Sequence, residues 1–190
     1  LWQLTHAPYA GYLKLDDFEL LSCSPELFIE FQHERKIKTR PIKGTMPRFD
    51  DPKQDQASKA KLSNSEKDQA ENVMIVDLLR NDLSVYAETG SVKTTKLFEI
   101  ESFNQVHHMV SEITAILKQD VNPMQMLLSA LPGGSITGAP KIRAMQIIEE
   151  LEGASRGAYC GSLGYFNFDG TGRWNILIRS IQKYQDQLSV

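Results

Sequence analysis

Short apolar runs separated by polar turns open the chain and predict strands over Ala10–Leu15, Phe18–Cys23, Leu27–Phe31 and Lys36–Arg40. In the stretch Thr39–Arg48, Pro41 and Pro47 bracket Lys43 and Gly44, which predicts a stiffened loop rather than an element. From Gln54 to Leu83 the pattern predicts one long helix, polar from Lys59 to Asp68 and apolar with embedded acids from Ala70 onward. Further strands are predicted over Val92–Glu101 and Val106–Leu117, and a short helix over Pro123–Leu131. The glycine-rich loop Pro132–Lys141 feeds a helix through about Glu150, with Pro140 suited to its first turn. Gly161–Phe168 and Arg173–Ile181 read as a hairpin around Asp169–Gly172. Strands outnumber helices and follow one another through hairpin turns, so the expected class is α+β with largely antiparallel sheets.

Composition adds bounds rather than detail. The 190 residues are 41% hydrophobic and 24% charged, enough for one sizeable core. A net charge of -3 argues against a nucleic-acid binder, which carries a basic excess. No apolar run is long enough to span a membrane, and no signal peptide is seen. Cys23 and Cys160, each placed in a predicted strand, make no disulfide framework and read as reduced thiols of a cytoplasmic protein. The chain opens on Leu1-Trp2-Gln3-Leu4 without Met and stops within strand-like Gln187–Val190, so the expectation is a single domain, 1–190, truncated at both ends.

Several positions suggest chemistry. Glu71, Ile75, Leu78 and Asp82 fall on one helical stripe. A carboxylate on an apolar face must be paired or bound to a cation, so Glu71 is either a hard-cation ligand or the partner of Arg80 or a basic loop. The glycine-rich loop before a helix start can offer backbone N–H groups to an anion. It is no Walker loop, because Pro140 precedes Lys141 and Ile142 follows it. Lys43 lies between Arg40 and Arg48, and neighbouring cations disfavour an ammonium; the lysine is a nucleophile or base, or simply solvated. Glu26, where one strand turns into the next, could act as a general acid. His107 and His108 point to opposite faces of their strand, and His108 shares its face with Val106, Val110 and Thr114, a setting that also suits a hydrogen-bonded core residue. Arg179, deep in an apolar predicted strand, calls for an anionic partner. Together these features suggest a pocket for a small multi-carboxylate ligand.

Several strings in order resemble the chorismate-utilising enzymes, which include anthranilate synthase large subunits, aminodeoxychorismate synthase component I, and isochorismate and salicylate synthases. They are Ala7–Ala10, Ser24-Pro25-Glu26, Thr39–Thr45, Glu71–Leu78, Arg80–Leu83, His108–Ser111, Pro132–Lys141, Gly161–Tyr165 and Ile178-Arg179-Ser180. Lys43, where other branches usually carry Ala, is similar to the branch that makes 4-amino-4-deoxychorismate for p-aminobenzoate and folate.

The resemblance implies a four-layer α/β/β/α sandwich, of which this chain is a part. It implies that Lys43 forms a covalent adduct with chorismate, that Glu26 is the general acid and that His108 sits beside the ring. It further implies that Glu71 is one Mg2+ ligand, that Ser135 and neighbouring amides hold the ring carboxylate, and that Tyr159 and Arg179 face the pyruvyl carboxylate. A second metal ligand belongs to a family segment beyond the last strand. Ammonia would come from a glutamine amidotransferase subunit or from solution. The competing expectations are an anthranilate synthase component I carrying an atypical lysine, or a catalytically inactive piece that only binds chorismate or docks the partner.

Overall fold

The computed structural model describes residues 2–190. In chain order the elements are α1 (Trp2–Thr5), β1 (Gly11–Lys14), β2 (Phe18–Ser22), β3 (Leu27–Phe31), β4 (Lys36–Arg40), β5 (Ile42–Pro47), α2 (Pro52–Ser63), α3 (Glu66–Ser84), β6 (Lys93–Ser102) and β7 (Val106–Ile116). There follow α4 (Pro123–Ala130), α5 (Gly134–Thr137), α6 (Lys141–Glu152), β8 (Gly164–Phe166), β9 (Gly172–Asn175), β10 (Ser180–Tyr184) and β11 (Gln187–Ser189). The chain divides into two compact units, one of Leu1–His33 with Asn122–Val190, the other of Glu34–Val121. Within each unit the strands pair antiparallel, as expected for the α+β class.

In the Glu34–Val121 unit, β7 is the central strand. Its long edge carries β6, from Lys93 opposite Thr114 to Ser102 opposite His107. Its other edge is shared by β4 and β5 in turn, with Thr39 opposite Ile113 and Ile42 opposite Val110. Pro41 marks the changeover; it has no N–H to give, and its carbonyl accepts from Ser111 N at 3.2 Å. Helices α2 and α3 supply Leu62, Ile75, Val76, Leu79 and Leu83 to a core completed by Ile37, Met109, Ile113 and Leu117.

Two expectations fail here for identifiable reasons. The single helix over 54–83 is two, because Asn64 ends the first and Ser65 caps the second by accepting from Asp68 N at 3.3 Å. The Pro-stiffened loop is strand β5, since both prolines sit where no ladder donor is needed.

In the other unit, β1, β2, β10 and β11 form one antiparallel sheet, and β3 pairs with β9, which pairs with β8. Every residue of β3 is buried, Glu30 included, whose carboxylate pairs with Arg173 of β9. The expected strand over Arg173–Ile181 is interrupted: β9 ends at Asn175, Arg179 takes a positive φ of 53°, and the chain resumes as β10 beside β2. Neither cysteine lies in a strand; both are buried free thiols, Cys23 just after β2 and Cys160 in a turn at φ 65°.

Candidate functional site

Lys43 owes its setting to a bulge. Between Ile42 opposite Val110 and Thr45 opposite His108, β5 spends one residue more than β7. Gly44 absorbs the difference at φ 86°. A Cβ there would lie 2.8 Å from Leu62 Cδ1 and 2.9 Å from Asp68 Cγ, so glycine is required by both conformation and space. Bulges bend a strand and re-aim its side chains, and this one puts half-buried Lys43 at the irregular position. The cations expected to press on Lys43 are committed elsewhere. Arg40 pairs with Glu101 and, at 3.5 Å, with Glu112, while Arg48 Nε donates to Asp55 Oδ1 at 2.8 Å.

One residue beyond the bulge, Thr45 Oγ1 lies 2.8 Å from Nδ1 of His108. The His108 ring is buried and tilts against Phe103 at 5.5 Å between centroids. His107, on the opposite face, is held by Ser102 Oγ at 2.8 Å and Asp55 Oδ1 at 3.0 Å. Asp55 also accepts from the Phe49 backbone N–H at 3.0 Å. The hydrogen bond from Arg48, with those from Phe49 and His107, holds its carboxyl down at about 2.

Glu71 does not lie on the buried stripe of α3. That stripe is Asn72, Ile75, Val76, Leu79 and Leu83, one position further round than the spacing from Glu71 suggests. The Glu71 side chain is 45% exposed, and Lys67 Nζ stands 3.9 Å from it, at the outer limit of an ion pair. Arg80 pairs with Asp77 instead. A reachable carboxylate in so loose a pair suits one ligand of Mg2+, which keeps several waters and takes one or two carboxylates. Among the described residues no group of three His, Cys, Asp or Glu side chains converges on a point, so Glu71 fits as part of a site and not as the whole.

The residues that sequence reasoning passed over here are Asn72 and Ser111. Both are fully buried, and Ser111 Oγ donates to Asn72 Oδ1 at 2.5 Å. A polar side chain on an otherwise apolar helical stripe was the available signal.

In the unit formed by Leu1–His33 and Asn122–Val190, Glu26 is buried between β2 and β3. Its backbone N–H donates to Ser24 Oγ at 3.2 Å, and its carbonyl accepts from Ile176 N at 3.2 Å. Ser135 lies in α5, the single turn inside the glycine-rich loop. Gly133 at the head of that turn is packed so closely that a Cβ would meet Ile176 Cδ1 at 2.6 Å. Tyr159 is part exposed and lines a cleft of about 570 Å3 with Ile136, Thr137, Ile142, Met145 and Arg156.

The cation of this cleft is thus Arg156, unforeseen in the sequence. It stands 5.9 Å over the Tyr159 ring and is held by a two-pronged pair with Glu152, Nε to Oε2 at 2.7 Å. Cys160 and burial push the Tyr159 hydroxyl up. Arg179 is exposed, contrary to the deep position expected, because its residue is the kink between two sheets. The arginine–carboxylate pairing of this region is instead that of exposed Arg173 with buried Glu30, Nε to Oε1 at 3.1 Å.

Comparison with known proteins bears on family and fold. The family model for chorismate binding enzymes matches residues 1–190. Aminodeoxychorismate synthase component 1 of Klebsiella aerogenes is 51% identical over 182 residues, 96% of this chain and 40% of that protein. Anthranilate synthase component 1 of Aquifex aeolicus is 41% identical over 177 residues, 93% of this chain and 36% of that protein. The crystal structure of anthranilate synthase component I from Streptococcus pneumoniae superposes with a TM-score of 0.88 at 34% identity, over 99% of this chain and 41% of that one. The chain therefore spans about two fifths of the length of these relatives. With a model that matches from end to end and a fold shared at that level, this chain belongs to the chorismate binding enzyme family.

Proposed function

We propose that the chain is the catalytic core piece of an enzyme that replaces the C4 hydroxyl of chorismate by an amine, giving 4-amino-4-deoxychorismate. The observation that carries this reading is the higher identity to an aminodeoxychorismate synthase component 1 than to an anthranilate synthase component 1 over nearly the same residues. Lys43 in the β5 bulge supports it, since bulges are over-represented next to active sites, where they re-aim a side chain.

In the reaction we assign, neutral Lys43 Nζ bonds to ring C2, the ring double bond shifts, and the C4–O bond breaks. Glu26 gives its proton to the departing hydroxyl, which leaves as water. Ammonia then bonds to C4, the double bond returns, and the C2–N bond breaks to release Lys43 as a neutral amine. The new ammonium gives up the proton that restores Glu26. The net change is chorismate plus ammonia to aminodeoxychorismate plus water, with one difficult displacement divided into two. Ser135, Tyr159 and Arg179 are assigned to the substrate carboxylates and His108 to the ring. A magnesium ion, when bound with Glu71 as a ligand, would supply positive charge against the ring carboxylate. Ammonia is assigned to a glutamine amidotransferase partner, a reading supported by the relative's designation as component 1.

The test uses the full-length protein with chorismate, magnesium and ammonium, wild type beside Lys43→Ala, with products separated by chromatography. Aminodeoxychorismate from the wild type and loss of most of that rate in the variant are expected. Anthranilate as product, or an indifferent variant, would return the assignment to the family level.

A further inference from the structure

Asn72 is a polar residue where α3 otherwise buries only aliphatic side chains. Its orientation is set by its neighbours. The Phe98 backbone N–H donates to Ser111 Oγ at 3.1 Å, so the hydroxyl proton is free to go to Asn72 Oδ1, and the Asn72 Nδ2 group is left without a partner among the described residues. Phe98 itself sits at φ 58°, inside a bulge of β6. One chain of hydrogen bonds therefore runs from α3 through β7 to a strained point of β6. A leucine at 72 would fill similar space with no unpaired amide, so this polar group does not serve stability.

Its use lies in direction. Apolar contacts from Ile75, Val76 and Leu79 hold α3 against β7 but allow it to roll, because burial has no preferred angle. A buried hydrogen bond has one. Side-chain tips lie roughly 5–6 Å from a helix axis, so a roll of about 10° carries a neighbouring carboxylate about 1 Å. Resting on the reading of Glu71 as a magnesium ligand, we propose that Asn72 is a positioning residue, whose bond to Ser111 fixes the rotation of α3 and so aims the Glu71 carboxylate at the metal.

The experiment is calorimetric titration of the full-length protein with magnesium alone, in the absence of chorismate, with melting temperatures measured in parallel. The variants are Asn72→Leu combined with Ser111→Ala, Ser111→Ala alone, and Glu71→Ala. Supporting partners of metal ligands are worth about ten- to a hundredfold in affinity, so the double variant is expected to bind magnesium at least about tenfold more weakly; it also deprives the Phe98 N–H of its acceptor, so its melting temperature is read only to show that it is folded. A double variant that binds magnesium as wild type does, beside a Glu71→Ala protein that has lost affinity, overturns the positioning role and leaves the metal reading intact. A Glu71→Ala protein with unchanged affinity sinks the metal reading and this inference with it. If the double variant does not fold, Ser111→Ala is read in its place by magnesium affinity, with a lower melting temperature expected from the Asn72 oxygen and Phe98 N–H that it leaves unpaired.

Discussion

Helices α3 and α6 both carry apolar residues at helical spacing, and the fold treats them oppositely. α3 buries five side chains against the β5–β7 sheet. α6 buries none; Ile142 is 75% exposed and Leu151 79%. What α6 has is slight: a tie from Lys141 Nζ to the Ala130 carbonyl at 3.2 Å, the left-handed Gly153 after its last turn, and the pairing of Arg156 with Glu152. A helix this short is marginal without tertiary contacts, whereas α3 draws its stability from the core it helps to build. Proposed site residues fall in both settings, Lys43, Glu71 and His108 in a packed and hydrogen-bonded frame, Tyr159 beside an open helix. The lesson is that a shared pattern of apolar spacing fixes which face a helix offers, and not whether anything is packed on it.

The largest test of that contrast is Ile75→Ala. Ile75 is almost wholly buried, and removing its branched side chain is expected to cost about 3 kcal/mol, read as a lower urea midpoint at unchanged slope. A loss below about 1 kcal/mol would mean that the α3 face is looser than its burial implies.

The legibility of the sequence followed the same division. Strand β3 was readable from its apolar residues, buried along its whole length, and β7 from alternation, which its burial follows over the second half. β5 was not, since Pro41 just before it and Pro47 at its end both look like loop signals. The break at Asn64–Ser65 was written in the Ser65 cap but outweighed by the helical pattern on both sides. Lys43 and His108 could be singled out in the sequence, but neither the demand for glycine at 44 nor the bulge that creates it was legible there. Asn72, Ser111 and Arg156 were missed because each acquires meaning only from a partner distant in sequence or from a cleft. Arg179 was misjudged because the kink that exposes it interrupts a run that reads as one strand.

A smaller effect is expected from acid. Asp55 joins α2 to Arg48, Phe49 and His107, and its folded value of about 2 lies below its ordinary 3.8. A depressed carboxylate contributes stability that is fully present above the ordinary value and is lost as pH falls through the folded one. The wild type should therefore lose stability more steeply than Asp55→Asn between about pH 4 and 2, with the two curves parallel above that window. Denaturant midpoints at each pH measure it; parallel curves throughout would show that Asp55 does not tie α2 to the sheet.

The smallest effect is the most exacting for the comparison. At Ile142 in α6, alanine surrenders little burial, because three quarters of the side chain already meets solvent. It gains helix propensity of a few tenths of a kcal/mol, since a β-branched residue loses rotamer freedom in a helix. These terms nearly cancel, so Ile142→Ala should leave the urea midpoint within about 0.5 kcal/mol of wild type, on the stabilising side if either. A loss of 1 kcal/mol or more would show that something packs on the α6 face in the folded protein, and the difference between the two helices would then be one of partner rather than of exposure.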